Sequence, residues 1–318
     1  MVSRRRQGSS HMAREASPSA AACNEPDVGR PLVSVVMTVT QPDATFFARA
    51  VESVLGQTLQ QFELIIIEKP SSSSAASLLE AYPDPRIHHH ATPPQSTLVE
   101  QRNLALDYAR SDYVAVLDSD DVCEPNRLEV QYHLLRNNPE IAVLGSQLLI
   151  IDRRGTVIGQ RRYPCDPNDV VLALPRLNPI AQPSVMFRRS IILSSGGYKY
   201  SRYPATEDYE LWSRLAKVGV VLANHPEPLL RYRIHPQSLK SRRVHGILLG
   251  TLDVKRMYWR DRMDLRARLR FWSEHALLLM PSNWILRLFL SYVVRPAPSS
   301  VVASDGAPPK RSDADRRE

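Results

Sequence analysis

Three aspartates within four residues follow a run of apolar residues near the middle of the chain. Asp118, Asp120 and Asp121 come directly after the run Tyr113–Leu117. Three carboxylates so close together repel one another unless a cation or hydrogen-bond donors neutralise them. Mg²⁺ and Mn²⁺ prefer a few carboxylate oxygens together with substrate phosphates. The cluster therefore indicates a divalent-metal site for a diphosphate, with a helix cap preceding Pro125 as the alternative.

Two more acids, Glu207 and Asp208, open a predicted amphipathic helix that extends to Val218. The helix macrodipole stabilises negative charge in the first turn of a helix. By position alone, these acids are therefore as typical of an ordinary helix N-terminus as of a catalytic site.

The elements that would carry the aspartate cluster alternate between strands and helices. A buried strand at Leu32–Val39, a helix over residues 44–57 and a buried strand at Phe62–Ile67 predict a βαβ unit. A helix at Thr97–Ala109 and a strand at Tyr113–Leu117 repeat the pattern. This alternation predicts an open, mostly parallel sheet with helices on both faces. Ligands of such sheets bind beyond the carboxyl ends of the strands, where the aspartates lie.

The pattern changes after about residue 140. Ile141–Ile151 and Thr156–Arg162 predict an antiparallel hairpin. Three further short strands are predicted at Pro183–Phe187, Val220–Ala223 and Leu229–Ile234. The predicted fold class is therefore α/β, with an open, mostly parallel sheet flanked by helices, a small antiparallel portion and a C-terminal helical appendage.

The composition is that of a globular protein with a basic balance. The 318 residues are 43% hydrophobic and carry a net charge of +8, which allows a domain of roughly 200–250 residues and favours an anionic partner. Paired arginines lack interleaved aromatic residues, so we expect no nucleic-acid binding. Neither GxGxxG nor Walker A is present. His88–His90 is interpreted as a short edge strand, because adjacent strand residues point to opposite faces.

The chain divides into four predicted parts. Residues 1–30 are polar, lack the apolar segment of a secretory signal and predict a disordered tail with an expression-tag remnant at residues 8–12. We expect the functional domain over residues 31–240, a helical appendage over residues 241–295 and a second disordered tail over residues 296–318. Three scattered cysteines predict neither a disulfide framework nor a zinc site, and favour a reducing, cytoplasmic location.

The appendage combines positive charge with apolar residues. Its apolar run, Ala276–Val294, is interrupted by Pro281, whereas a spanning helix needs about 20 apolar residues. Two interpretations stand: a helix lying in the plane of an anionic membrane surface at the inner face, or a helical pair packed on the main domain. Seven basic residues precede the run: Lys255, Arg256, Arg260, Arg262, Arg266, Arg268 and Arg270.

From Pro31 to about Ser241, the chain resembles family 2 glycosyltransferases along its whole length and in order. The order and spacing of the motifs together are specific to that family. The resemblance implies a GT-A fold, a nucleotide-sugar donor, a divalent metal (Mg²⁺ or Mn²⁺) and inversion at the anomeric carbon. The matching stretches are Val33–Met37, Ala50–Gln57, Phe62–Ile67, Arg102–Asn103, Leu117–Asp121, Pro183–Arg189, Gly196–Tyr198, Glu207–Trp212 and Arg231–His235.

The resemblance also implies roles in donor binding. Asp118 corresponds to the acid that holds the donor ribose, and Asp120 to the metal ligand of the DxD motif, with Asp121 assisting or capping. Arg102 corresponds to a cation near the nucleobase and phosphates, with a solvated helix arginine as the alternative. His235 corresponds to a histidine that contacts phosphate or metal, with an ordinary loop histidine as the alternative.

The catalytic base implied by the resemblance is Asp208, with Glu207 beside it. Such a base takes the proton of the acceptor hydroxyl while the hydroxyl oxygen attacks the anomeric carbon. The loops that contain Thr38, Thr40 and Glu68 correspond to the donor-binding loops after the first two strands. The implied acceptor is a saccharide or a lipid-linked molecule, in surface polysaccharide or glycolipid synthesis.

The chain departs from the family pattern in both nucleobase-binding loops and at Gln182. Thr38–Gln41 and Glu68–Ser71 stand where the family usually has Pro-x-Tyr-Asn and Asp-Asp-Gly-Ser. Lys69 stands where the family commonly has an aspartate that accepts a hydrogen bond from the nucleobase. The ammonium group of a lysine can only donate hydrogen bonds. Gln182 replaces a histidine that often precedes Pro-Ser-Val-Met. Two alternatives remain open. One is a catalytically degenerate binding or scaffold protein, and the other is a nucleotidyltransferase, which would need a glycine-rich basic loop that Thr38–Asp43 lacks.

Overall fold

The computed structural model describes residues 29–199, 203, 205–235 and 243–296, so both predicted tails lie outside it apart from a few flanking residues. The strands are β1 (Val33–Thr40), β2 (Phe62–Lys69), β3 (Ile87–Ala91), β4 (Tyr113–Val116), β5 (Val122–Cys123), β6 (Ile141–Ile151), β7 (Val157–Arg161), β8 (Met186–Arg188) and β9 (Val221–Arg233). The α-helices are α1 (Ala44–Leu55), α2 (Ala75–Leu79), α3 (Leu98–Tyr108), α4 (Arg127–Asn137), α5 (Pro167–Ala173), α6 (Arg189–Ser194), α7 (Glu207–Lys217), α8 (Val244–Val254), α9 (Leu265–Leu277) and α10 (Ser282–Val293). Shorter helical turns occupy Gln182–Ser184, Lys255–Trp259 and Arg260–Arg262.

The N-terminal half of the sheet is parallel. β1 pairs with β2 and β4, and β2 pairs with β3, all in parallel register. Apolar side chains cover both faces of β1: Val35 and Met37 belong to one core cluster and Val36 to the other. Burial on both faces explains the nearly continuous apolar run of this strand. The predicted βαβ alternation is confirmed, and β3, with its three histidines, lies at the edge of the sheet.

The second half of the sheet mixes strand directions. The order across it is β3-β2-β1-β4-β8-β6-β9-β5, with β7 paired to β6. β8 is antiparallel to both β4 and β6, and β9 is parallel to β6, so β6 and β9 run in the same direction as β1. The predicted α/β class, with a mostly parallel sheet and an antiparallel portion, is confirmed.

Two predicted strands need correction. Val220–Ala223 and Leu229–Ile234 are parts of the single strand β9, which continues through Pro226 and Pro228. Pairing between β6 and β9 shifts register along this stretch, which is how a sheet accommodates prolines that cannot donate hydrogen bonds. Pro183–Phe187 is likewise not one strand, because a 3₁₀ turn precedes β8.

The C-terminal helices pack against α7. The indole N–H of buried Trp259 donates to Ser213 Oγ at 3.0 Å, and the hydroxyl of Tyr258 donates to Glu210 Oε1 at 2.5 Å. Pro281 separates α9 from α10 and so divides the predicted apolar run. Among the helices of the described residues, none is long and apolar enough to cross a bilayer.

Candidate functional site

The aspartate cluster lies in a tight turn between β4 and β5. β4 ends at Val116, and the N–H of Asp121 donates to the carbonyl of Asp118 at 3.2 Å. β5 then pairs antiparallel with β9. One carboxylate oxygen from each of Asp118, Asp120 and Asp121 lies within 4.8 Å of the others. The turn therefore gathers three negative charges at the carboxyl end of β4.

Arg233, the last residue of β9, holds this turn in place from its buried side. Its backbone N–H donates to Asp121 Oδ1 and its Nε donates to the carbonyl of Asp120, both at 2.8 Å. Its Nη1 donates to the carbonyl of Asp152, also at 2.8 Å. Burial lowers the pKa of Arg233 and the charge of Arg49 lowers it further, although nearby carboxylates oppose the shift. Arg233 thus places a buried cation behind the cluster.

Asp120 and His235 form the accessible part of this cluster. His235 follows β9, and its Nε2 lies 2.9 Å from Asp120 Oδ2. The side chain of Asp120 is 31% exposed, whereas Asp121 is fully buried. The His235 ring packs against Phe46, with 5.2 Å between ring centroids. The structure therefore brings together the two residues predicted as metal ligands, and Asp120 is the more exposed of the two.

The donor set of the cluster fits a small divalent cation. It offers carboxylate oxygens and one imidazole nitrogen, ligands that Mg²⁺ and Mn²⁺ accept. Burial, followed by the charges of the three aspartates, raises the pKa of Tyr232 well above its ordinary value. The part of the shift that the aspartates cause reflects a local concentration of negative charge, which a bound cation would relieve. Ligation by Asp120 and His235 stays a prediction.

Glu207, the first residue of α7, is buried against Arg102 of α3. Arg102 Nη1 lies 2.5 Å from Glu207 Oε1, and the two side chains are 10% and 5% exposed. Burial disfavours the charge of Arg102, but the Glu207 carboxylate and other neighbouring groups raise its pKa above the ordinary value overall. The guanidinium expected near the donor phosphates is thus engaged with the first turn of α7. Donor contact by Arg102 stays a prediction.

Asp208 is more accessible than its neighbour Glu207. Its Oδ2 accepts a hydrogen bond from Asn178 Nδ2 at 2.9 Å, and its Oδ1 accepts from the N–H of Tyr209 at 2.7 Å. Both contacts orient the carboxylate without burying it. Of the two acids predicted at the catalytic position, Asp208 is therefore the less buried, and its role as the base stays a prediction.

A small pocket lies where α3 packs on the ends of β1 and β4. Thr38, Arg102, Gln182 and Tyr198 line it together with apolar residues. Gln182 Nε2 donates to the hydroxyl of Tyr198 at 2.6 Å. Burial raises the pKa of Tyr198 to about 12, so its phenol stays neutral at physiological pH. Thr38 is the predicted donor-loop residue that reaches this pocket.

Arg102 links the aspartate cluster electrostatically to the start of α7. The carboxylates of both Asp118 and Asp208 contribute to raising its pKa. Asp118 belongs to the aspartate cluster, whereas Asp208 belongs to α7. Both therefore lie within electrostatic range of one guanidinium, and the two predicted halves of the site are neighbours.

Thr40 and Glu68 do not join this group of residues. Thr40 is exposed at the end of β1. Glu68 is buried, with its Oε1 accepting from the N–H of Ala75 at 2.7 Å and its Oε2 lying 2.8 Å from His89 Nε2. Lys69 Nζ donates to a loop carbonyl at 3.0 Å. The Glu68 carboxylate thus caps α2, and donor contacts by Thr40 and Glu68 stay predictions.

Sequence reasoning missed three residues of the site: Asn178, Tyr198 and Arg233. Tyr198 and Arg233 lie inside matched stretches but received no role. The period of two along a strand was an available signal for Arg233, because it lies two residues before His235. Asn178 lies in a loop with no periodic pattern, and nothing in the sequence marks it as a partner of Asp208.

Comparisons with known proteins give a consistent family. The Glycosyl transferase family 2 model matches residues 34–194. The O-antigen biosynthesis glycosyltransferase WbnJ of Escherichia coli is 33% identical over 65% of this chain and 81% of that protein.

Two solved structures share the fold. The mannosyltransferase PcManGT from Pyrobaculum calidifontis, in complex with GDP-Man and Mn²⁺, has a TM-score of 0.55 and 15% identity, and the match covers 88% of this chain and 77% of that chain. TarS of S. aureus has a TM-score of 0.53 and 15% identity over 79% of this chain. The match spans 44% of the TarS chain, so this chain corresponds to less than half of it.

Proposed function

The chain belongs to glycosyltransferase family 2 and has a GT-A fold, and from that membership we propose that it transfers a sugar from a nucleotide-sugar donor to an acceptor hydroxyl with inversion at the anomeric carbon. The observation that carries the proposal is the position of Arg102, whose guanidinium lies 2.5 Å from Glu207, the residue before Asp208, and within electrostatic range of both Asp118 and Asp208. The aspartate cluster proposed to bind the cation and the partly exposed carboxylate of Asp208 thus lie within electrostatic range of the same guanidinium.

Donor binding is assigned to the ends of β1, β4 and β9. Asp118 would hold the ribose, with Thr38 in the neighbouring pocket. Asp120 and His235 would hold the divalent cation, which supplies charge neutralisation for the leaving diphosphate. The 2.9 Å contact between Asp120 and His235 supports this assignment, because both residues already converge on one point. The Mn²⁺ complex of PcManGT is consistent with it.

Catalysis by Asp208 follows general-base chemistry. The acceptor oxygen attacks the anomeric carbon, the bond from that carbon to the diphosphate oxygen breaks, and the diphosphate leaves with the electron pair. Asp208 takes the proton of the acceptor hydroxyl during the attack. The hydrogen bond from Asn178 orients the carboxylate and leaves it accessible. Attack from the face opposite the leaving group inverts the anomeric configuration.

The acceptor is proposed to be a saccharide or a lipid-linked molecule at the cytoplasmic face of a membrane, in surface polysaccharide synthesis. The support is the relationship to a protein of O-antigen biosynthesis. For the nucleobase, Lys69 offers only hydrogen-bond donors and already binds a carbonyl of its own chain. A nucleobase that presents hydrogen-bond acceptors to this loop is therefore expected to bind better than one that must donate a hydrogen bond there.

A thermal-shift panel of nucleoside diphosphates, each with and without Mn²⁺, tests the proposal. Ligands that bind the folded state raise the melting temperature as their concentration exceeds Kd. We expect at least one diphosphate to stabilise the protein in the presence of Mn²⁺ and to lose most of that effect with chelator. A protein that no diphosphate stabilises would instead favour the catalytically degenerate binding or scaffold role.

A further inference from the structure

Helix α9 buries the acidic side chain of Glu274 on its inner face and exposes large apolar side chains on its outer face, the reverse of a helix packed on a soluble domain. On its inner face, Glu274 is buried and lies 2.5 Å from the Nζ of fully buried Lys255. Ala267, also buried, lies on the same face. The inner contact of α9 with the rest of the protein therefore includes an internal ion pair.

The outer face of α9 carries large apolar side chains at helical spacing. Leu265, Leu269 and Trp272 follow one another at intervals of four and three residues, which places them on one stripe. They are 73%, 63% and 69% exposed. Leu279, just past the end of the helix, and Trp284, in the first turn of α10, are also exposed, at 90% and 54%. We call these five residues the docking face.

Exposed positive charge is concentrated in the same segment as the docking face, where Asp261 and Asp264 are the exposed acids. Two of the seven basic residues found in the sequence are internal: Lys255 is buried with Glu274, and Arg270 Nε lies 3.0 Å from the same carboxylate. The other five are exposed. Among these, Arg266 and Arg268 flank the apolar stripe at helical angles on either side of it. The five exposed residues are Arg256, Arg260, Arg262, Arg266 and Arg268.

We propose that the docking face binds an anionic lipid surface, with α9 lying parallel to the membrane plane. Apolar side chains, two of them tryptophans, would enter the boundary between headgroups and acyl chains, while the flanking arginines contact lipid phosphates. Charge complementarity selects this occupant, because an apolar stripe framed by arginines matches an acyl layer under a negative headgroup layer. The evidence lies outside the donor site, so the inference is independent of the proposed reaction.

Vesicle co-sedimentation of the full chain tests the inference. The probe is phosphatidylcholine vesicles with and without phosphatidylglycerol. We expect binding to the anionic vesicles, and a loss of about a hundredfold or more in the variant L265S/L269S/W272S. The variant R266A/R268A should bind about thirtyfold more weakly. Tryptophan emission of the wild type should shift to the blue on binding, because Trp272 and Trp284 leave water.

A matched control removes exposed apolar side chains elsewhere on the surface. Ile158, Leu172 and Val218 are 52%, 62% and 73% exposed, and I158S/L172S/V218S should bind vesicles like the wild type. Circular dichroism and thermal melting check that each variant is folded. Equal binding by the wild type and L265S/L269S/W272S, or no binding by the wild type, would overturn the inference. A dimer in analytical ultracentrifugation that this variant abolishes, without vesicle binding, would assign the face to a second copy instead.

Discussion

The guanidinium of Arg102 lies 2.5 Å from the carboxylate of Glu207, and both side chains are almost fully buried. The pair joins α3 to the first turn of α7. Glu207 immediately precedes Asp208 in the sequence, but the two acids have different environments. Glu207 is buried in an ion pair, whereas Asp208 is partly exposed. We infer that Glu207 and Arg102 position the first turn of α7, which carries the proposed base Asp208.

Replacing Glu207 with glutamine should destabilise the fold. The substitution leaves the charge of Arg102 buried without its carboxylate, and breaking a buried ion pair in this way typically costs about 3–5 kcal/mol. Asp208→Asn is the matched control, because it removes a charge from the next residue, which is more accessible. This variant should lose less than about 1 kcal/mol of unfolding free energy. Urea unfolding of the two variants measures the difference. Equal loss of stability in both would contradict the positioning role of Glu207.

Replacing Asp120 with asparagine should remove metal-dependent nucleotide binding. The amide keeps the size of the side chain but discards an anionic oxygen ligand. Isothermal titration calorimetry with a nucleoside diphosphate and Mn²⁺ measures the change. Asp107→Asn, which removes an exposed carboxylate on α3, is the control and should bind like the wild type. Undiminished binding by the Asp120 variant would rule out its role as a metal ligand.

The stability of the protein should depend on pH through Lys255. Burial lowers the pKa of this lysine from 10.5 to about 8, although Glu274 opposes the shift. Between those two pH values the unfolded chain keeps a proton that the folded chain has lost, so this group makes the free energy of unfolding rise with pH. Below about pH 8 both states are protonated and its contribution is constant.

Lys255→Met removes that contribution and retains most of the packing volume. Between pH 7.5 and pH 9.5, the urea midpoint of the wild type should therefore rise more, or fall less, than that of the variant. Taking the difference between the two proteins cancels the titrating groups that do not contact Lys255. A wild type that loses more stability than the variant over this interval would mean that the ion pair with Glu274 outweighs the cost of burying Lys255.

The sequence predicts best what depends on local periodicity. The apolar runs of β1 and β2, and the helix between them, follow from patterns that lie within about forty residues of one another. The aspartate turn is equally local, because Asp118 to Asp121 directly follow β4. Strand β9 was divided in two, since Pro226 and Pro228 normally end a strand and only the partner strand β6 reveals the bulged pairing.

Contacts between distant residues could not be predicted in the same way. Arg102 and Glu207 are separated by more than one hundred positions, and each has an ordinary helical context that suggests no partner. The inward orientation of Lys255 was also hidden, because it lies in a run of basic residues that a sequence pattern marks as solvated. Burial of this lysine depends on where α9 packs.

Steady-state turnover of Asp208→Asn and Glu207→Gln, measured with donor and acceptor or by slow donor hydrolysis, tests the proposed reaction most directly. A neutral amide at position 208 cannot take the acceptor proton, so turnover should fall by roughly 10²–10⁴ while the Kd for the nucleotide is unchanged. Glu207→Gln, assayed below its melting temperature, should lose less. Near wild-type turnover in Asp208→Asn, or a larger loss in Glu207→Gln than in Asp208→Asn, would contradict the assignment of Asp208 as the base.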